Sequence, residues 1–179
     1  TIFELSEKYG FKKFIIVVPS VAIREGALKN IEITSDHFKA LYNNLEFEYF
    51  VYDSKKPNRI RQFASSNQLQ IMVINIDAFN KETNIFNTER NQLNGYSPKE
   101  FISSVNPIVI IDEPQSVDNT DKAKEAIRSL NPLCIFRFSA THNNPYNLVY
   151  KLDPIKAFEK RLVKQIVVAS VVGDNDNND

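Results

Sequence analysis

Six short apolar runs restrict the folds open to this chain more than any single motif does. All have strand length, are rich in Ile, Val and Phe, and are continuous rather than alternating. They are FIIVV (14–18), FEYFVYD (47–53), QIMVINI (70–76), PIVIID (107–112), LCIFRFSA (133–140) and QIVVASVV (165–172). Continuous apolar runs are typical of strands that are covered on both faces, as in a parallel sheet.

Helix-like segments separate these runs. They cover residues 2–10, 35–44, 58–66, 120–130 and 153–164. The first should end at Gly10, and the second should begin at a capping residue, Ser35 or Asp36. The fourth has Thr120 or Asp121 as its cap. The alternation predicts an α/β fold, with an open, mainly parallel sheet and helices on both faces.

Two stretches do not follow this alternation. Residues 80–101 are polar and rich in asparagine, and we expect a long surface excursion there. Residues 173–179, GDNDNND, should form a disordered acidic tail, because they contain nothing apolar to bury.

Composition gives only weak indications of a partner. Lys plus Arg and Asp plus Glu both number 22, so the total charge favours neither nucleic acid nor a membrane. The one cysteine, Cys134, suits a reducing compartment, and we expect a cytoplasmic protein. No apolar run approaches the roughly 20 residues that a membrane-spanning helix needs.

Polar residues follow several of the predicted strands, where ligands of open α/β sheets bind. The end of PIVIID carries Asp112, which could hold Mg²⁺, and Glu113, which could orient a water molecule. A strand that merely ends in two acids is an equally good explanation of this tetrapeptide alone. Ser139 and Thr141 follow the next strand and could hydrogen-bond toward the acids, or could simply cap the sheet.

Three of these motifs resemble those of one family. Asp112-Glu113-Pro114-Gln115 is similar to the Walker B box of superfamily two helicases, in its DEPQ form, and Ser139-Ala140-Thr141 to their SAT motif. VVPSVAIREG (17–26) resembles the segment that lines the nucleic-acid track. Together they resemble the Res subunits of type III restriction-modification enzymes, over about residues 1–172. The resemblance implies a partial first RecA-like domain.

The resemblance also implies roles for individual residues. Asp112 would bind Mg²⁺, Glu113 would activate water, and Gln115 would contact the nucleotide or relay its state. Residues that would couple this site to DNA are Ser139, Thr141 and His142. Residues that would contact the DNA backbone are Pro19, Ser20 and Arg24. ATP and Mg²⁺ are the implied cofactors. Double-stranded DNA, a modification methyltransferase subunit, and a second RecA-like domain and a nuclease domain in the same protein are the implied partners.

One part of such a site is missing from the sequence. A P-loop has the pattern G-x-x-x-x-G-K-[ST], and the four glycines, at positions 10, 26, 95 and 173, provide none. In the family this loop and its strand precede the helix that begins here near residue 1. We therefore expect the chain alone to bind ATP weakly or not at all, and to turn it over negligibly.

Other interpretations remain open from the sequence. The chain could belong to another superfamily two DNA helicase. It could be a metal-dependent hydrolase that uses Asp112, Glu113 and either Asp77 or Asp53, or a non-catalytic α/β scaffold. SKKPNRIRQ (54–62) is the densest basic stretch, but a solvated loop and helix start is a better prediction for it than a DNA contact. Without the family, Arg24 would also be predicted as a solvated helix charge.

Overall fold

A computed structural model of the chain describes residues 1–79, 95–140 and 146–164. Its centre is a five-stranded sheet in which all strands are parallel, in the order β2-β3-β1-β4-β5. The strands are β1 (Lys13–Val18), β2 (Phe47–Val51), β3 (Leu69–Asn75), β4 (Ile108–Asp112) and β5 (Cys134–Phe138). The predicted α/β sheet is therefore confirmed, and its arrangement is that of a RecA-like fold.

Seven α-helices and one short 3₁₀ helix, Ile76–Ala78, are present in the described residues. The α-helices are α1 (Ile2–Tyr9), α2 (Val21–Leu41), α3 (Pro57–Ser65), α4 (Pro98–Ser103), α5 (Pro114–Val117), α6 (Asp121–Arg128) and α7 (Pro154–Glu159). Two caps predicted from the sequence are confirmed. Gly10 ends α1 in the left-handed conformation, with φ 75°, and the Thr120 side chain accepts a hydrogen bond from the Ala123 amide at 3.2 Å.

The sheet is covered on both faces, because alternate residues of each strand enter different apolar layers. Helices α3, α4 and α6 cover one face, and that layer contains Ile15, Val17, Phe63, Ile102 and Ile127. Helices α1 and α2 cover the other, and that layer contains Leu5, Phe14, Ile31, Ile71 and Ile108. Burial on both faces explains why the strands are continuously apolar in sequence.

The prediction for α2 was wrong in its extent. A helix was expected over residues 35–44 with Ser35 or Asp36 as its cap, but α2 is continuous from Val21 to Leu41. Its actual cap is Ser20, whose side-chain oxygen accepts a hydrogen bond from the Ile23 amide at 3.3 Å. Apolar residues at helical spacing from Leu28 onward keep one stripe of the helix against the sheet, so Ser35 and Asp36 lie within a helix that does not need them as caps.

The expected surface excursion over residues 80–101 is only partly described. Residues 80–94 lie outside the described part, but the end of the stretch is helical rather than irregular. Ser97 and Glu100 form a capping box at the start of α4, and the Ile102 side chain is buried. The hydrogen bonds from Ser97 hold the pKa of the Glu100 carboxyl below its usual value. The strand predicted at 165–172 and the acidic tail lie outside the described residues.

The order of the strands places a topological switch point between β1 and β4. From β1 the chain continues through α2 to β2 at one edge, whereas from β4 it continues through α6 to β5 at the other. Ligands of open α/β sheets bind at the carboxyl ends of the strands near such a point. The carboxyl edge of the sheet is therefore where a site is expected.

The chain divides into two compact units, Thr1–Thr141 and His142–Asp179. The first contains the whole sheet. In the second, Asp153 caps α7 by accepting a hydrogen bond from the Lys156 amide at 2.8 Å, and this bond holds the pKa of the Asp153 carboxyl below its usual value. Within the described ranges, no helix is long and apolar enough to cross a membrane.

Candidate functional site

Asp112 is the last residue of β4 and the first one of that strand to reach solvent. The four residues before it are buried, whereas Asp112 is exposed at the carboxyl edge of the sheet. Its register partner on β5 is Phe138, so the motif that follows β5 begins beside it. A buried strand that ends in an exposed carboxylate places a negative charge at a fixed point of the edge.

Glu113 has an uncommon backbone conformation. Its φ of 54° and ψ of 60° lie in the left-handed region, which non-glycine residues rarely adopt. The Glu113 amide donates to the Phe138 carbonyl at 3.1 Å, and Pro114 starts α5 immediately afterwards. Strained residues of this kind persist where the surrounding structure holds them, and they are concentrated at functional sites. The Glu113 side chain is half-buried, and its carboxylate contacts Gln115 in the first turn of α5.

A chain of side-chain hydrogen bonds joins the two motifs. Gln115 Nε2 donates to Glu113 Oε2, and Ser139 Oγ donates to Gln115 Oε1 at 3.1 Å. Three of the residues singled out from the sequence are therefore in direct contact across the ends of β4 and β5. Thr141 and His142, which were assigned the same coupling role, lie outside the described residues.

The structure also contains an ion pair close to these hydrogen bonds that was not predicted from the sequence. Arg137 Nε donates to Asp118 Oδ2 at 2.7 Å, which ties the end of β5 to the end of α5. The Asp118 side chain is only 9% exposed, whereas that of Arg137 is 42% exposed. The one indication of this pair in the sequence was Arg137, a charged residue inside the apolar run LCIFRF. The sequence could not identify Asp118 as its partner.

Pro19, Ser20 and Arg24 lie at the neighbouring strand end. Pro19 and Ser20 follow β1 directly and are half-buried, and the Ser20 hydroxyl caps α2 as described above. Arg24 lies one turn into α2, and its side chain is 25% exposed. The Arg24 guanidinium pairs with Glu25 Oε1 at 2.8 Å. The structure places these three residues at the amino end of α2.

Arg24 also lines a cavity that the sequence did not predict. The cavity has a volume of about 390 Å³ and lies between α2, the end of β2 and the start of α3. Its charged lining residues are Arg24, Asp53, Lys56 and Arg59. We refer to it as the basic cavity. The sequence suggested a solvated charge at Arg24 and a separate solvated basic loop at 54–62, whereas the fold combines them into one surface.

Asp53 and Asp77, the additional acids of the metal-hydrolase alternative, do not lie close to the end of β4. Asp53 follows β2, which is three strands from β4, and Asp77 follows β3, which is two strands away. At about 4.8 Å per strand, these positions are roughly 14 and 10 Å from the end of β4. Across the part of the chain that the structure describes, no group of three or more His, Cys, Asp or Glu residues is placed to hold a metal ion.

A further perturbed group lies at the opposite, amino edge of the sheet. Lys13 begins β1, and its Nζ donates to the Ser66 carbonyl at 2.5 Å and lies over the Phe63 ring. Burial lowers the pKa of Lys13 to about 8, because it disfavours the charged form. Burial likewise raises the pKa of the Cys134 thiol, which makes it less reactive.

Comparison with known proteins identifies relatives of the chain. Residues 1–144 match the family model described as type III restriction enzyme, res subunit. The chain is 32% identical to the EcoP15I Res subunit of Escherichia coli and 30% identical to the EcoPI Res subunit of Escherichia phage P1, over 93% of its length in each case. It is 34% identical to the StyLTI Res subunit of Salmonella typhimurium over 78% of its length. The chain spans only 16 to 19% of these relatives.

Proposed function

Because the chain belongs to the Res subunit family of type III restriction enzymes, we propose that it forms part of the ATP-driven motor of such an enzyme. The parent protein hydrolyses ATP, uses that energy to move along or change state on double-stranded DNA, and cleaves the DNA. The observation that carries this proposal is the hydrogen-bonded chain Ser139–Gln115–Glu113. Through Gln115 it connects Glu113, which is suited to activate water, with Ser139 of the SAT-like motif, which is proposed to sense the state of the nucleotide site.

Asp112 is the proposed Mg²⁺ ligand. Mg²⁺ retains several waters and binds proteins through one or two carboxylates together with substrate phosphates, so one exposed carboxylate at a strand end fits it. When bound, Mg²⁺ neutralises charge on the β- and γ-phosphates of ATP. The sequence contains no P-loop, so these residues supply the metal and water side of the site and not the phosphate cradle.

Glu113 is the proposed general base. Its carboxylate accepts a proton from the attacking water, and the left-handed turn together with the Gln115 amide holds that carboxylate in position. Gln115 contacts both Glu113 and Ser139, so a movement of either strand end changes its hydrogen bonds. Ser139 thereby links the state of the nucleotide to the rest of the domain. Thr141 and His142 are proposed to share this coupling role.

The DNA contacts are proposed for Pro19, Ser20 and Arg24. A cation next to a capped helix start is suited to bind backbone phosphate, which gives a grip that does not depend on base sequence. The remaining functions of the parent protein are assigned to parts beyond this chain: a second RecA-like domain, a nuclease domain and a modification methyltransferase subunit. We place the parent enzyme in the cytoplasm.

The test is ATP hydrolysis by the complete Res protein that contains this sequence, assembled with its modification subunit, with and without DNA. Glu113→Gln keeps the size of the side chain and one oxygen that can accept the hydrogen bond from Gln115, but it removes the base. We expect DNA-stimulated hydrolysis to fall about 10²- to 10⁴-fold, the usual contribution of a general base.

The matched control is Glu125→Gln, which makes the same change at an exposed position of α6. It should leave hydrolysis unchanged. If Glu113→Gln hydrolyses ATP as fast as the control, the proposed role of Glu113 is wrong. If the unmodified complex hydrolyses no ATP in the presence of DNA, the proposed function itself is wrong.

A further inference from the structure

We propose that the basic cavity binds a backbone phosphate of double-stranded DNA, and so extends the nucleic-acid contact surface from the end of β1 to the start of α3. The proposal rests on the proposed function, because it assumes that DNA lies across the carboxyl edge of the sheet. It assigns roles in phosphate binding to Lys56 and Arg59, which the sequence motifs did not include.

The charged residues that line the basic cavity are mainly cations, and they come from separate parts of the sequence. Three cations, Arg24, Lys56 and Arg59, surround the cavity, and Asp53 is the one acid among its lining residues. They come from two helices that are distant in sequence, α2 and α3, so their convergence is a product of the fold. Guanidinium groups are suited to a phosphate because their planar donors bind two of its oxygens at once.

Two of these cations, Lys56 and Arg59, make only long ion pairs. Lys56 Nζ lies 3.9 Å from Asp53 Oδ2, and an Arg59 guanidinium nitrogen lies 3.8 Å from Glu48 Oε2. Both distances are longer than a charge-assisted hydrogen bond, and both pairs are substantially exposed. Exposed ion pairs contribute between about 0 and 1 kcal/mol, so a phosphate can replace these acids at little cost.

The acids also have other partners that remain when the cations turn to a phosphate. Glu48 Oε2 accepts a hydrogen bond from Gln62 Nε2 at 2.7 Å, and Asp53 Oδ1 accepts one from the Lys55 amide at 2.9 Å. Neither carboxylate would therefore lose all its partners. Asp53 and Glu48 thus keep Lys56 and Arg59 near the cavity, and both carboxylates keep a hydrogen-bond donor if these cations move to a phosphate.

The position of Lys56 at the start of α3 also favours a nearby anion. Lys56 occupies the N-cap position of α3, and neither α3 nor α2 has an acid in its first turn, unlike α1, α4 and α6. A cation at the positive end of a helix is unfavourable unless an anion is close. Asp53 is the acid nearest to Lys56, at the long distance given above, and a phosphate in the basic cavity would add a second anion.

The cavity is also continuous with the proposed DNA contacts. Arg24 belongs to both, and β2 lies two strands from β1, or roughly 10 Å along the carboxyl edge. One DNA strand rises about 3.4 Å per nucleotide, so about three nucleotides cover that distance. A strand held at Ser20 can therefore place a nearby phosphate in the cavity.

The experiment measures duplex DNA binding by the complete Res protein with its modification subunit, without nucleotide, at salt concentrations between about 50 and 200 mM. The test variant is Lys56→Gln combined with Arg59→Gln. Loss of one phosphate contact should weaken binding roughly tenfold at about 0.1 M salt and reduce the slope of log K against log salt by about 1. Lys56→Arg combined with Arg59→Lys, which keeps both charges, should retain the wild-type slope.

The controls remove a cation elsewhere on the same domain. Lys29→Gln, on α2, and Lys124→Gln, on α6, each remove an ion-paired surface lysine that does not line the cavity. Both should bind DNA with the wild-type affinity and slope. Thermal unfolding of the test variant should match that of the controls, since Lys56 and Arg59 are exposed.

The possible failures can be distinguished. If the double variant binds DNA like the Lys29→Gln control, the cavity holds no DNA phosphate, yet loss of ATP hydrolysis in Glu113→Gln would still support the motor. If the double variant binds DNA normally but has a raised KM for ATP, the cavity serves the nucleotide and the DNA proposal is overturned. If the unmodified complex shows no DNA-stimulated hydrolysis, the proposed function fails first.

Discussion

The two ends of the carboxyl edge are built in opposite ways. At the β4–β5 end, Glu113 has a strained backbone held by Phe138, and its side chain belongs to a chain of hydrogen bonds that reaches Ser139. At the β2–α3 end, Lys56 and Arg59 are exposed and make only long ion pairs. The first end is acidic and tightly held, whereas the second is mainly basic and loosely held.

This difference fits the two tasks proposed above, activation of water at Glu113 and phosphate binding at Lys56 and Arg59. Activation of a water molecule requires a carboxylate held within a fraction of an ångström, so the surrounding hydrogen bonds must be made before substrate arrives. Contact with a moving polymer requires the opposite, because each phosphate must be gripped and released. We infer that the sheet separates the two tasks by placing them on different strand ends.

The largest expected effect is at the acidic end. Asp112→Ala removes the proposed Mg²⁺ ligand, and we expect DNA-stimulated ATP hydrolysis by the complete complex to fall at least about 100-fold, in line with loss of a group that stabilises developing charge. DNA binding without nucleotide should be unchanged. Asp121→Asn, at an exposed position of α6, is the control. Normal hydrolysis by Asp112→Ala would remove the acidic end from the mechanism.

The second effect concerns the link between the motifs. Ser139→Ala removes the donor to Gln115, a hydrogen bond worth about 1 kcal/mol. We expect the ratio of DNA-stimulated to unstimulated hydrolysis to fall about fivefold. Ser139→Thr, which keeps a hydroxyl, should restore most of the ratio. An unchanged ratio in the alanine variant would show that the hydrogen bond does not carry the coupling.

The third effect is on stability. Asp118→Asn removes the charge that pairs with Arg137, and we expect the free energy of unfolding in urea to fall by about 1 kcal/mol. A larger loss is not expected, because Arg137 is 42% exposed and water can replace its partner. Asp121→Asn breaks an exposed pair with Lys124 and should change the free energy of unfolding by much less. Equal effects of the two substitutions would contradict a special role for the Asp118–Arg137 pair.

The smallest effect tests a cation at the opposite edge of the sheet. Because burial lowers the pKa of Lys13 to about 8, the unfolded chain binds more protons than the folded chain between about pH 8 and the usual lysine pKa of 10.5. Stability should therefore rise with pH across that window, by about 1 kcal/mol or less after allowance for partial exposure. Urea unfolding at several pH values measures this rise.

Lys13→Met should abolish the rise in stability. It should also leave DNA affinity unchanged, since Lys13 lies at the amino edge, away from both ends compared above. A loss of DNA affinity in Lys13→Met would show that general charge, rather than the position of the cations on the carboxyl edge, controls binding.

The sheet could be predicted because its three central strands, β1, β3 and β4, are buried on both faces and are therefore continuously apolar. The extent of α2 could not be predicted, because Ser35 and Asp36 are equally suited to cap a helix and to lie within one. The position of Asp112 and Glu113 at a strand end was also readable from the sequence. The convergence of Arg24 with Lys56 and Arg59 could not be predicted from the sequence. It depends on the order of the strands, which places β2 beyond β3.

The central claim is that the carboxyl edge separates hydrolysis from DNA grip, and paired titrations of the complete complex test it most directly. ATP hydrolysis is measured against DNA concentration for Glu113→Gln and for the Lys56→Gln, Arg59→Gln double variant. The account predicts that Glu113→Gln loses the maximal rate but retains its DNA affinity in separate binding measurements. The double variant should need roughly tenfold more DNA but reach the wild-type maximal rate. If both variants lose maximal rate and DNA affinity together, the edge acts as a single site and the account is wrong.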